Sequence, residues 1–202
     1  MPRGHAPPPS PAHPPYPTVG PSAGNYWTVG NELRTDAFAN GEQTLRIKGA
    51  NFLGFESAAC NRGGSWSKTP LTDVFKLLKY NGFNALRVPL SWEGCPESTD
   101  EELKTFVTEA GNHGLLVALT MNTLRPGLKN DNGYVGGDDG YKRLHLAWQR
   151  QVDLFCDPEK YWNVFAADLL DSPHGMYWGP PPEKTDNMKH VDDAHYWPQV
   201  CA

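Results

Sequence analysis

The chain has 202 residues, with 18 Lys and Arg against 23 Asp and Glu and a formal net charge of −5. Its 39% hydrophobic and 20% charged content fits a folded domain and excludes a wholly disordered chain. The acidic balance without a basic stripe argues against nucleic acid and anionic membrane as partners, and no apolar run reaches the roughly 18 residues of a membrane span.

Residues 1–24 are Pro-rich, with Pro7-Pro8-Pro9 and Pro14-Pro15. Such a stretch builds no core and reads as an extended linker, a tether rather than a docking motif. It carries no apolar segment of the kind a secretory signal needs, so the residues leave localisation open. Order is expected from Asn25. Tyr26 to Leu33 and Thr44 to Lys48 read as a pair of strands around a turn at Asn40-Gly41.

A periodic pattern follows. Leu45 to Phe52 is strand-like. Thr69 to Asn81 carries Leu71, Val74, Phe75, Leu77 and Leu78 at helical spacing, with Thr69 as N-cap ahead of Pro70 and Gly82 as terminator. Asn84 to Pro89 is a short apolar strand. Ser98 to Asn112 is a helix that opens on Ser-Thr-Asp-Glu-Glu, a capped and acidic start. Leu115 to Leu119 is a buried-strand run, a Gly- and Asp-rich loop spans about 125–140, and Tyr141 to Phe155 is a third helix. Trp162 to Leu170 is the fourth strand, and residues 180–202 read as an irregular polar tail.

Strand alternating with helix predicts a parallel sheet with helical crossovers, and continuous apolar strands suit a sheet buried on both faces. Four such units in about half the roughly 250 residues of a (β/α)8 TIM barrel predict the first half of one, over residues 25–179. A half-barrel leaves its first and fourth strands as open edges, which predicts pairing with a complementary half-barrel, self-association, or a marginal fragment.

Four motifs then point to a family. Lys48-Gly-Ala-Asn-Phe-Leu-Gly-Phe-Glu56, Gly82-Phe-Asn-Ala-Leu-Arg-Val-Pro-Leu-Ser91, Gly114-Leu-Leu-Val-Ala-Leu-Thr-Met-Asn122 and Asn163-Val-Phe-Ala-Ala-Asp-Leu-Leu-Asp-Ser-Pro-His174 stand in order along the chain. They resemble the first four strand motifs of glycoside hydrolase family 5, the cellulase-like enzymes. The resemblance implies a (β/α)8 barrel, hydrolysis of β-glucan-type polysaccharide without a cofactor or metal, and secretion. It also implies that Arg87 lies near a catalytic carboxylate.

Two departures bear on activity. The family's Asn-Glu-Pro, whose Glu is the general acid/base, here reads Asp171-Ser172-Pro173, and its third-strand Asp-x-His reads Thr120-Met121-Asn122. The nucleophile Glu of the family belongs to a seventh strand, beyond the four seen here. Retaining glycosidases hold two carboxyl groups about 5 Å apart. A serine hydroxyl supplies no proton as a carboxylic acid does, and general acid–base help is worth roughly 10²–10⁴-fold. The expectation is a chain that is inactive alone and at most binds sugar. The alternatives are an active hydrolase completed by a partner or a longer chain, and a structural protein that uses its open sheet edge.

The candidate site residues are Arg87, Asp171 and Ser172 at the altered catalytic positions. Glu56, Trp92, Asn122, His174 and Trp178 are candidates for sugar contact. Arg87 reads either as a sugar-hydroxyl donor or as an ion-pairing group beside Glu56. Asp168, inside its strand, reads as a hydrogen-bonded structural group. Trp66, Trp92, Tyr134, Tyr177 and Trp178 follow strands and either stack on sugar rings or pack the barrel end. His190 and His195, beside Asp192 and Asp193, read as a solvated tail rather than a metal site. Cys60 and Cys95 leave the same sheet end if their strands are neighbours, which allows a disulfide or two ordinary thiols; no CxxC spacing suggests zinc.

Overall fold

The computed structural model describes residues 25–36, 41–56, 68–92, 98–123 and 137–171. The linker expected over 1–24, the tail over 180–202 and the Cys60–Cys95 pair lie outside them. Among the described residues no helix is long and apolar enough to cross a membrane.

Three short strands come first: β1 (Tyr26–Val29), β2 (Glu32–Thr35) and β3 (Gln43–Thr44), in an antiparallel sheet of that order. The expected single strand over Tyr26 to Leu33 is two strands. The chain reverses at Gly30-Asn31, where Gly30 takes φ 61°, and Trp27 then pairs with Arg34. A two-residue loop opening on a left-handed glycine matches the twist of a hairpin. The segment expected to pair around Asn40-Gly41 contributes only β3, which joins β2 through Arg34 and Thr44.

The second sheet is parallel, in the order β4 (Gly49–Asn51), β5 (Ala85–Ser91), β6 (Leu116–Thr123), β7 (Val164–Asp168). Helices α1 (Leu71–Tyr80), α2 (Ser98–Asn112) and α3 (Gly137–Phe155) make the crossovers. The α1 cap differs from expectation. Pro70, extended at φ −54° and ψ 134°, takes the cap position with no side-chain cap bond, and its carbonyl accepts the Asp73 and Val74 N–H groups. Proline suits a helix start because it has no N–H to satisfy there and its φ is already set. Helix α3 begins at Gly137, earlier than its apolar spacing suggests.

Alternation along the strands separates two faces. Leu86, Val88 and Leu90 of β5 and Val117, Leu119 and Met121 of β6 belong to the main core, packed under the helices with Phe75, Phe106 and Val107. Phe52 and Phe75 both meet Phe106, with ring centroids 4.6 and 5.3 Å away. On the opposite face, Ala85 and Leu116 form a second cluster with Leu45, joined by Tyr26, Leu33, Trp162 and Phe165. The N-terminal hairpin therefore covers the face at the strand starts, and leaves the strand ends on that face to polar residues. These elements amount to four units of a partial TIM barrel.

Candidate functional site at the strand ends

The polar residues gather where the strands end, the side on which barrels of this kind carry their chemistry. Arg87, in β5, is at the centre. Its Nη2 donates to Asp168 Oδ2 and to Asp171 Oδ1, each at 2.8 Å, and its Nε donates to Asp168 Oδ2 at 3.3 Å. Nη1 reaches Asn51 Oδ1 of β4 at 3.5 Å. Thr120 Oγ1 of β6 donates to Asp168 at 3.3 Å, and Asn122 Nδ2 donates to Asp171 Oδ2 at 2.6 Å. The guanidinium thus joins β5 to β4 and β7 directly, and the two carboxylates it holds bring in Thr120 and Asn122 of β6.

Two irregularities in strand pairing build this arrangement. Val117 pairs with Val164 but Ala118 pairs with Ala166, so Phe165 is an extra residue in β7. Strict alternation from Val164, which faces the core, would turn Asp168 toward the helices. The bulge shifts the count by one and brings Asp168 beside Arg87. In β6, Leu90 pairs with Met121 and Ser91 with Thr123, which makes Asn122 the extra residue there. The Asp171 N–H donates to the Met121 carbonyl at 2.8 Å, tying the segment after β7 to the end of β6.

The cluster carries one positive and two negative charges. Partial burial pulls the Arg87 guanidinium down, but the hydrogen bond to Asp168 and the charges of Asp171 and Asp168 outweigh it, so its pKa is held above its ordinary value. Arginine is effectively always charged in any case. The guanidinium fork, the Asn51 and Asn122 amides and the carboxylates offer donors and acceptors suited to hydroxyl groups. Beneath Arg87, Gly49, Ala85, Ala118 and Phe165 line a cavity of about 320 Å³ on the same face. No three His, Cys, Asp or Glu side chains among the described residues converge to hold a metal ion.

The structure brings together Arg87, Asp171 and Asn122 of the expected site, and adds Asn51, Thr120 and Asp168. Asp168 is hydrogen-bonded, as expected, but it is 43% exposed and belongs to the cluster. Glu56 is not the ion partner of Arg87: it accepts the Gly54 N–H at 2.7 Å, closing its own turn, while Asp168 and Asp171 hold the arginine. Trp92 is not a stacking surface. It is 4% exposed and packed in the main core, so its ring presents no open face. Ser172, His174 and Trp178, with Trp66, Tyr134 and Tyr177, lie outside the described residues. Cys156 is a free, exposed thiol.

No protein-family model matches the sequence, and no curated protein does. Solved structures do. An endocellulase from Pyrococcus horikoshii superposes with a TM-score of 0.61 at 25% identity, over 80% of this chain and 46% of that one. A structure of that endocellulase in complex with cellotetraose gives a TM-score of 0.61 over 79% and 46%. A cellulase–inhibitor complex gives 0.62 at 25% identity, over 80% and 46%. The catalytic domain of the major endoglucanase from Xanthomonas campestris, at 20% identity and 0.54, shares the fold. The chain spans less than half the length of these structures. It is a partial, four-unit barrel, structurally homologous to the cellulases and endoglucanases of glycoside hydrolase family 5.

Proposed function

We propose that the 202-residue polypeptide binds β-glucan-type oligosaccharide across the ends of β4 to β7 and does not hydrolyse it. The reading rests on one observation, the capture of Arg87 by both Asp168 and Asp171. Hydrolysis with retention needs one carboxylic acid to protonate the leaving oxygen and one carboxylate to attack from the other side of the scissile bond, about 5 Å apart. Here the two strand-end carboxylates share one guanidinium rather than facing each other across a sugar, and the sequence reads Ser172 where the family motif carries its acid. Sugar binding asks less: fixed donors and acceptors, with an aromatic ring for the C–H face of a pyranose. Arg87, Asn122, Asp171 and Glu56 supply the polar part of this reading, and the sequence offers His174 and Trp178 as further candidates for sugar contact.

Cellotetraose titrated calorimetrically into the pure chain is expected to bind, with Arg87→Ala abolishing the heat. No heat from the wild type at millimolar sugar would end the binding reading. The second reading is a hydrolase completed by another polypeptide, which the edges of β4 and β7, unpaired among the described residues, favour. A reducing-sugar assay on β-glucans separates the two. Turnover that disappears in Glu56→Gln or Asp171→Asn would establish the active reading.

A further inference from the structure

The parallel sheet has two edges, and among the described residues nothing pairs with the outer side of β4 or of β7. Open edges are templates for pairing with another chain. Their surroundings are apolar on both sides. At the β4 edge Ile47, Leu53 and Leu77 are exposed. Leu77 lies on the flank of α1 opposite Lys79, whose Nζ reaches the Gly114 carbonyl beside α2, so Leu77 faces away from α2 and over the open edge. At the β7 edge Leu169 and Val152 are exposed. Val152 lies on the flank of α3 opposite Arg150, which pairs with Asp100 of α2 at 2.7 Å, so it too faces outward over its edge. These five are most of the eight large exposed hydrophobics among the described residues. The charges differ in sign at the two strand entrances: Arg46 is exposed before β4, and Glu159 is exposed before β7.

We propose that the two edges are the two sides of one interface, and that a second copy of this chain occupies them. The β7 edge of one copy lies parallel to the β4 edge of the other. Val152 of α3 then meets Leu77 of α1 in the helix layer, Ile47 turns into the interior whose cavity it lines, and Glu159 of one copy comes to the level of Arg46 of the other. A two-fold axis closes both seams at once and gives eight parallel strands, the number with which this kind of barrel closes. The apolar flanks supply adhesion and the opposite charges set direction.

Sedimentation equilibrium of the full 202-residue chain tests the assembly. A discrete dimer of twice the 22.4 kDa chain mass is expected. Leu77→Asp and Val152→Asp, both at exposed positions, are each expected to weaken it at least about tenfold with an unchanged far-UV spectrum. Arg46→Glu weakens it too, and adding Glu159→Arg to the same chain restores it, because the two charges meet only across copies. A monomer at every concentration, open-ended oligomers, indifference to both Asp variants, or no rescue by the charge swap would each overturn the proposal. So would a chain that remains monomeric alone but forms a one-to-one complex with the second half of the Pyrococcus endocellulase barrel.

Discussion

Arg87 holds the site together, and its loss is expected to register twice. Arg87→Ala removes the donors proposed for sugar and leaves Asp168 and Asp171 facing each other without a counter-charge. The three side chains are 25–43% exposed, so water screens the pair. The stability cost is accordingly about 1 kcal/mol rather than the several of a buried pair, read as a shift in the urea midpoint. Arg87→Lys restores the charge but not the fork, and is expected to recover stability without recovering binding. Tyr26 offers an independent check on the hairpin. Burial, aided by the Asp36 carboxylate, raises its hydroxyl from 10.0 to about 12, and the hydroxyl donates to the Trp162 carbonyl at 3.3 Å. The unfolded chain loses this proton first. The stabilisation is therefore complete below pH 10 and is lost as pH rises towards 12. A fall of about 1 kcal/mol across that window is expected, discounted for the part-exposed ring, and Tyr26→Phe should flatten it. Arg87, Asp171 and Asn122 were legible as strand-end polar residues. Asp168 was legible as a hydrogen-bonded group but not as a neighbour of Arg87, because a strict two-residue period sends it to the other face.

The elements are fixed by features of different visibility. Helices α1 and α2 follow from apolar spacing and, for α2, an acidic start, so the sequence places them well. The β1–β2 turn is hidden in the sequence because Gly30 sits within a run that otherwise reads as one strand. The bulges at Phe165 and Asn122 leave no mark in composition; they depend on how β7 and β6 meet their neighbours. Asn163, just before β7, is fully buried and donates to the Val107 carbonyl at 2.8 Å and the Leu115 carbonyl at 3.1 Å. It pins α2 to the starts of β6 and β7. Asn163→Ala is expected to cost about 2–3 kcal/mol in chemical denaturation by stranding these groups, while the affinity of folded protein for sugar is unchanged. Gly111 is its counterpart: a Cβ there would lie 3.1 Å from Asn163 Oδ1. Gly111→Ala is expected to destabilise by about 1–3 kcal/mol through overpacking.

At the scale of the molecule, four parallel strands and three crossover helices give a sheet with covered helix-side and hairpin-side surfaces and, among the described residues, two open edges. The four-unit pattern was readable from strand and helix order, since parallel strands need crossovers. How the edges are closed was not, because that depends on which flank of α1 and α3 carries exposed apolar side chains. The proposed function separates recognition from chemistry: strand ends from one half would supply polar groups for sugar hydroxyls, while bond cleavage needs two carboxyl groups in opposition. The decisive measurement is product analysis of cellotetraose held with the pure 202-residue chain, alongside calorimetry on the same sample. Saturable binding that requires Arg87, with the tetrasaccharide recovered whole, is the predicted result. Shorter sugars released by the chain itself, and lost in Asp171→Asn, would contradict it.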